Sequence, residues 1–252
     1  METAAFIDQL TVHGAALADS ADIAGLDAAV PTCPEWDVRA LLAHVGMVHR
    51  WATGIVLLEP DASERSDFPA PETGVVDWFR SGHAALVQAL RDAPADLDVW
   101  AFLPAPSPLA FWARRQAHET AIHRADAESA NGRSPSFDRE FALDGIAELL
   151  QGFYSRSRGR LVADPGFVLQ VMPDDAPVSW TIQVGPESRV VTRQDAADHH
   201  TADGVQADCQ LRGTASDLYL DLWNRERSGA TRVDGDAIPM QTWRELATIS
   251  WS

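Results

Sequence analysis

The sequence predicts a two-domain α+β protein: an N-terminal antiparallel four-helix bundle, followed by a small α+β domain with an antiparallel sheet. Two observations predict this fold class. Up to about residue 160, apolar residues recur with the helical period in long segments joined by loops. Beyond that point, short segments alternate apolar and polar residues, which is the period of strands. We therefore expect a helical domain over residues 1–160 and an α+β domain over residues 161–252.

The first domain is predicted to contain five helices, four in the bundle and one additional. Their expected ranges are 3–20, 37–58, 74–92, 109–131 and 138–156. Pro34 and Asp37 are start signals for the second helix, and Asn131 and Gly132 end the fourth. The proline-rich segment 104–108 predicts a loop before the fourth helix. Long helices with connections of this size favour antiparallel packing.

The second domain is predicted to be a curved antiparallel sheet with helices on one face. The expected strands are 167–172, 178–184, 189–192 and 205–211. Two helices are expected after them, over residues 215–224 and 238–249. This order of elements completes the predicted α+β fold.

Composition excludes several classes of function. The net charge is −17, so phosphate backbones are repelled and nucleic acid is not an expected partner. The chain contains no lysine, which excludes Schiff-base and P-loop lysine chemistry. An anionic substrate group must therefore be bound by arginine or by backbone N–H groups. No glycine-rich turn follows a predicted strand, which argues against a dinucleotide cofactor.

The sequence also predicts a cytoplasmic protein. It contains no apolar run long enough for a membrane span, and its acidic first residues are unlike a secretory signal. The two cysteines, Cys33 and Cys209, are far apart in the sequence and form no Cys-x-x-Cys pair. A reducing compartment is the expected setting.

The fourth helix carries the polar residues of greatest chemical interest. Glu119 and His123 lie one turn apart and about 40° apart around the helix, so both can reach one divalent metal ion. His118 lies about 140° from His123, so those two imidazoles cannot share an ion. Asp126 lies a further turn along and is expected to support a ligand or to pair with an arginine.

A competing interpretation of the same helix needs no metal. Arg115, Glu119 and His123 also form a ladder of i, i+4 ion pairs, which is common on exposed helices. From this helix alone, the ion-pair ladder is the commoner arrangement.

A third candidate ligand lies on the second helix. Apolar residues three, four and seven positions away place His44 on the apolar stripe of that helix. A single histidine there is usually bonded to a carbonyl or a water. If the second helix packs against the fourth, however, three ligands converge, which is the number in a catalytic zinc site. His49 points about 140° away and is expected at the surface.

Three segments resemble the mycothiol-dependent maleylpyruvate isomerase family. They are residues 33–44, 112–127 and 212–223. The first two are similar to the DinB-like helical bundle of that family, and the third is similar to its sterol-carrier-like C-terminal domain. The metal ligands of the family are a histidine on the second bundle helix and a Glu-x-x-x-His motif on a later one. The resemblance therefore implies His44, Glu119 and His123 as metal ligands.

The same resemblance implies an enzyme with zinc as cofactor and mycothiol as cosubstrate. Its expected activity is isomerisation of a small electrophile or transfer of the thiol to one. Because pockets favour domain interfaces, we expect the substrate cleft between the two domains, in a monomer or a homodimer. The family also implies an arginine of the C-terminal domain that binds a substrate carboxylate. Arg232 is the first candidate, followed by Arg225 and Arg227, and a surface arginine is the alternative for each.

Two other classes of function remain open from the sequence. One is a non-catalytic regulatory or binding protein on the same scaffold, for which altered ligands are expected. The other is a carrier of apolar ligands, which requires an apolar tunnel in the second domain. The intact set of three candidate ligands favours the enzyme.

Overall fold

The computed structural model describes residues 1–59, 68–156, 160–195, 206–225 and 229–249. The chain divides into two compact units, Met1–Pro135 and Ser136–Ser252. The described part of the first unit is helical, and that of the second combines helices with one sheet. The predicted two-domain α+β fold class is therefore confirmed.

The described part of the first unit contains four helices. They are α1 (Thr3–Ala24), α2 (Val38–Val56), α3 (Val75–Asp92) and α4 (Pro108–Ala130). The Asp37 carboxylate caps α2 by accepting a hydrogen bond from the Ala40 amide at 2.7 Å. The Ser107 hydroxyl caps α4 in the same way, and Pro108 occupies a first-turn position, where its missing N–H costs no hydrogen bond. The last residue of the predicted proline-rich loop, Pro108, is thus the first residue of α4.

The helices pack in pairs around an apolar core. α1 lies along α4, α2 lies along α3, and α2 also contacts α4. Leu17, Leu41, Val45 and Phe79 are fully buried between them. Because α4 is covered on several sides, most of its polar residues are buried as well. Among the described residues, no helix is both long enough and apolar enough to cross a bilayer.

The second unit contains five strands and three helices in its described part. The elements are α5 (Arg139–Ala147), β1 (Phe167–Pro173), β2 (Val178–Val184), β3 (Arg189–Asp195), β4 (Cys209–Gly213), α6 (Ala215–Leu222), β5 (Arg232–Gly235) and α7 (Ile238–Leu246). A π-helical turn, Glu148–Phe153, continues α5. The strand order is β3-β2-β1-β4-β5. Three neighbouring pairs are antiparallel as predicted, whereas β1 and β4 are parallel.

The compact units divide earlier in the chain than the boundary that the sequence predicts. The change of periodicity near residue 160 marks the start of the sheet, but α5 already packs within the second unit. The Tyr219 ring of α6 lies 5.3 Å from the Phe137 ring and 6.2 Å from the Phe141 ring. The Phe137 amide also donates to the Ser216 hydroxyl at 3.0 Å. Periodicity alone identifies α5 as a helix without indicating which core it covers.

Candidate metal centre

Three side chains of the first unit converge at one point. His44 is supplied by α2, and Glu119 and His123 are supplied by α4. The Glu119 Oε1 atom lies 3.5 Å from His44 Nε2 and 3.4 Å from His123 Nε2. All three potential ligand atoms lie within 4.8 Å of one another. The structure thus brings together the three residues that the sequence nominates as ligands.

The antiparallel packing of α2 and α4 explains this convergence. Seven residues beyond His44 on α2, the Trp51 ring packs 5.2 Å from the ring of Trp112, which lies seven residues before Glu119 on α4. The two helices therefore contact each other along at least two turns. This contact places His44 opposite the helical turn that separates Glu119 from His123.

Burial distinguishes this arrangement from an ordinary surface ladder of ion pairs. The Arg115 side chain is 2% exposed and that of Glu119 is 9% exposed. Arg115 Nη2 donates to Glu119 Oε2 at 3.0 Å, so that part of the predicted ladder is present. The other carboxylate oxygen, Oε1, faces the two imidazoles. The ion pair and a three-ligand site are therefore compatible.

Asp126 contacts the far side of the His123 ring. Its Oδ2 atom lies 2.8 Å from His123 Nδ1, and its side chain is fully buried. A carboxylate at Nδ1 favours the imidazole tautomer that has its proton on Nδ1 and its lone pair on Nε2. The supporting contact that the helix spacing predicts for Asp126 is present.

Electrostatics hold the site in a defined charge state. Burial raises the pKa of the Glu119 carboxyl, but hydrogen bonds from His123 and His44 and the charge of Arg115 outweigh it and keep that pKa well below its usual range. Burial lowers the pKa of His123, yet the hydrogen bonds to Asp126 and Glu119 raise it overall, to about 9. Glu119 is therefore ionised at neutral pH.

Trp36 covers one side of the two imidazoles. Its ring centroid lies 4.9 Å from that of His44 and 5.9 Å from that of His123. The residue belongs to the segment that joins α1 to α2, and sequence reasoning did not identify it as part of the site. The Cys-Pro-Glu-Trp sequence directly before α2 was the available signal. His44 is the most accessible of the three candidate ligands, with 22% of its side chain exposed.

The prediction that His49 lies at the surface is wrong. Its side chain is fully buried, and its Nε2 atom lies 2.8 Å from the Thr120 hydroxyl. Burial, together with the nearby His83, lowers the pKa of His49 well below its ordinary value, so the ring is neutral. The reason is that α2 packs against both α3 and α4, so two of its faces are covered rather than one stripe.

The candidate carboxylate-binding arginines belong to the second unit. Arg232 lies in β5 with 57% of its side chain exposed, and its Nε atom donates to Asp234 Oδ2 at 3.0 Å. Arg225 donates to the Trp223 carbonyl at 2.6 Å. Arg227 lies outside the described residues. A substrate-binding role for any of these arginines remains a prediction.

The chemistry of the donor set fits a divalent ion. Two imidazole nitrogens and one carboxylate oxygen are a ligand set used by catalytic zinc sites, in which a fourth position stays open. One candidate ligand, His123, also has a buried carboxylate at its other ring nitrogen, as metal-binding histidines usually do. The fold and site therefore define a two-domain protein whose helical bundle carries a candidate mononuclear metal centre.

Comparison with models of protein families shows which family the chain belongs to. The model of the mycothiol maleylpyruvate isomerase (MDMPI) N-terminal domain matches residues 7–128, and that of the MDMPI C-terminal domain matches residues 140–238. The chain thus belongs to the mycothiol-dependent maleylpyruvate isomerase family.

Solved structures show the same fold. The crystal structure of the mycothiol-dependent maleylpyruvate isomerase is similar with a TM-score of 0.60, and that of a histidine-to-alanine mutant with a TM-score of 0.59. In both cases the identity is 13%, and the similarity covers 93% of each chain. A search of curated proteins finds no match.

Proposed function

We propose that this protein is a metal-dependent enzyme that uses mycothiol to isomerise a small electrophile or to transfer the thiol to it. The observation that carries the proposal is the convergence of His44, Glu119 and His123 in a chain of this family. Zinc is the proposed ion because it accepts this mixed nitrogen and oxygen donor set. The cytoplasm is the proposed compartment, and Cys33 and Cys209 are both free of disulfides.

A zinc ion held by His44, Glu119 and His123 would act as a Lewis acid, which would lower the pKa of a bound thiol and polarise a substrate oxygen. The protein's own residues have separate tasks. Glu119 stays ionised because Arg115 and the two imidazoles surround its carboxylate. Trp36 covers the imidazoles on one side and limits the access of water there. We propose that substrate enters beside His44, the most exposed of the three ligands.

The proposed chemistry starts with attack of a thiolate on an electrophilic carbon. In an isomerase, the thiolate adds to an activated double bond, the resulting single bond rotates, and elimination restores the double bond and frees the thiol. In a transferase, the thiolate displaces a leaving group and remains in the product as a thioether. Since the chain contains no lysine, an arginine is proposed to bind a substrate carboxylate, with Arg232 as the first candidate.

A screen of thiol dependence tests this proposal. Purified zinc-loaded protein is incubated with maleylpyruvate or with halogenated and epoxide electrophiles, in the presence of mycothiol, of glutathione or of no thiol. We expect turnover only when a thiol is present. An isomerase leaves the thiol concentration unchanged, whereas a transferase consumes one thiol for each product molecule. Turnover in thiol-free buffer would contradict the proposal. So would the absence of turnover across the whole panel.

The alternative functions lack a specific supporting observation. A regulator on this scaffold is expected to have altered ligands, whereas all three are present and converge. A carrier requires an apolar tunnel in the second unit. The described residues of that unit line a pocket of about 300 Å³ that is open to solvent and includes polar Gln183, Ser188 and Asp208 beside apolar residues, so it is not an apolar tunnel. These observations favour the enzyme.

A further inference from the structure

We infer that Thr32 and Asp126 are positioning residues that fix the orientation of His123 for metal binding. The inference rests on the proposed function, because it concerns the metal site that this function requires. The geometry behind it is a chain of three side chains from two separate segments. Thr32 Oγ1 lies 2.6 Å from Asp126 Oδ1, and Asp126 Oδ2 lies 2.8 Å from His123 Nδ1.

Each oxygen of the Asp126 carboxylate has a defined partner. The Thr32 hydroxyl donates to Oδ1, while Oδ2 accepts from His123 Nδ1 and from the Cys33 thiol, whose sulfur lies 3.7 Å away. Because donors bind both oxygens, the plane of the carboxylate is set from two sides. That plane in turn determines the direction of the His123 ring, whose Nε2 atom faces Glu119.

The burial of Asp126 makes these contacts strong. Its side chain is fully buried, so water cannot replace a lost donor without entering the core. An ionised group in such a place requires hydrogen bonds, and those that it makes are charge-assisted and directional. The Asp126 carboxylate therefore has few other orientations. The His123 ring bonded to it has correspondingly little freedom to turn away from Glu119.

A closed loop presents Thr32 to this carboxylate. Within residues 30–36, the Val30 amide donates to the Trp36 carbonyl at 3.0 Å, and the Trp36 amide donates to the Cys33 carbonyl at 2.8 Å. Val30 at the start of the loop is fully buried. The loop therefore has a fixed shape, and it also places the Trp36 ring beside His123. Two side chains of one loop thus support the same candidate ligand.

Metal affinity in matched variants tests the inference. Metal-free wild type, Asp126→Asn, Thr32→Val and Thr32→Ser are titrated with Zn²⁺ against a competing chelator, and with Co²⁺ while its visible absorption is recorded. The control is Thr231→Val, which removes a similar bond, 2.6 Å from Thr231 Oγ1 to Asp221 Oδ2, in the second unit. Circular dichroism and thermal unfolding report whether each variant keeps its fold.

We expect Asp126→Asn to lose about 10- to 100-fold in zinc affinity and to change the Co²⁺ spectrum, as loss of a partner of a metal ligand typically does. Thr32→Val should show a smaller loss in the same direction. Thr32→Ser keeps the hydroxyl and should bind like wild type, as should Thr231→Val. If Asp126→Asn fails to fold, the comparison of Thr32→Val with Thr32→Ser tests the inference.

Three results would overturn the inference while leaving the metal site in place. They are wild-type affinity and spectrum in Thr32→Val, equal losses in Thr32→Val and Thr32→Ser, or an equal loss in Thr231→Val. The failure of the proposed function is distinguishable from these. If the proposed function is wrong, the wild type itself binds no divalent ion. That result contradicts both the metal site and the positioning role of Thr32 and Asp126.

Discussion

Glu119 connects the two kinds of interaction at the candidate site. One of its oxygens accepts from Arg115, and the other faces His44 and His123. The carboxylate is nearly buried, so its negative charge requires these partners. Removing that charge has consequences both for metal binding and for the buried guanidinium.

Glu119→Gln should therefore abolish metal binding and also destabilise the fold. The substitution breaks the buried ion pair between Arg115 and Glu119, and breaking such a pair costs about 3–5 kcal/mol in comparable proteins. Glu128→Gln is the matched control, because Glu128 accepts from Arg124 at 2.8 Å in an i, i+4 pair of the same helix. The control should lose some stability and keep its metal, as measured by elemental analysis and chemical unfolding. Equal metal content in the two variants would contradict the role of Glu119.

Zinc affinity should rise with pH until about pH 9. Burial lowers the pKa of His123, but its bonds to Asp126 and Glu119 raise it to about 9, so the metal-free ring is protonated at neutral pH. A metal ion must displace that proton, and this competition weakens as the pH approaches 9. The limiting dependence is about tenfold in affinity per pH unit for one displaced proton. Chelator competition from about pH 6 to 9 measures it, and a flat profile would contradict a proton on His123.

Spacing along single helices predicts which residues belong to the candidate site, but it does not predict what surrounds them. The one-turn separation of Glu119 and His123 and the apolar stripe around His44 were visible in the sequence. The 3.5 Å approach of His44 to Glu119 was not, because it depends on which helices pack together. The same limit explains the error at His49, whose face of α2 is covered by neighbouring helices.

Among the secondary-structure elements, α5 has the least expected packing. Its sequence predicts a helix that accompanies the bundle, whereas it packs on α6 in the second unit. Gly145 allows the Tyr219 ring to approach the α5 backbone, because a Cβ atom there would overlap that ring. The contact is part of an aromatic cluster with Phe137 and Phe141.

Gly145→Ala should destabilise the second unit, because overpacking usually costs about 1–3 kcal/mol and the fully buried Tyr219 ring has little freedom to move. Alanine is favoured over glycine in a helix by about 1 kcal/mol, so the net loss should be smaller than the overpacking cost by that amount. Gly185→Ala is the matched control, since its added Cβ meets its nearest neighbour, Ser188 O, at 3.6 Å. Chemical unfolding of both variants measures the difference. Equal stabilities would show that α5 does not pack tightly on α6.

Alternation predicts β1, β2 and the start of β3, but it places the fourth strand too early: 205–211 is expected and β4 is Cys209–Gly213, with residue 205 outside the described residues. β1 and β2 begin at the predicted residues, Phe167 and Val178. β5 was missed because its four residues, Arg232–Gly235, are exposed and offer no apolar face. The parallel pairing of β1 with β4 was also missed, since residue patterns within a strand do not specify its neighbours.

At the scale of the whole molecule, several buried neutral histidines predict sensitivity to acid. Burial, with the charges of Arg124 and His118, lowers the pKa of His13 to about 3. Burial also lowers the pKa values of His49 and His83. Each of these rings takes up a proton more readily after unfolding, so the stability that it contributes is present above its unfolded pKa of about 6.5 and is lost below it.

The free energy of unfolding of metal-free protein should therefore fall as the pH drops from about 6.5 to 5. Each ring protonated only on unfolding contributes up to about 1.4 kcal/mol per pH unit. The raised pKa of His123 acts in the opposite direction, but its contribution is complete below 6.5 and is constant in this window. Urea unfolding at several pH values measures the slope, and His13→Gln should reduce it. An unchanged slope in that variant would contradict a neutral His13 in the folded state.

The metal content of the chain decides whether the helical bundle carries a metal centre. Wild type and His123→Ala are reconstituted with zinc, freed of unbound metal and assayed by elemental analysis, with circular dichroism as a check on folding. We predict a single zinc ion per wild-type chain, held by His44, Glu119 and His123, and none in a folded variant. Wild-type protein without zinc, or a folded variant that retains it, would contradict the site.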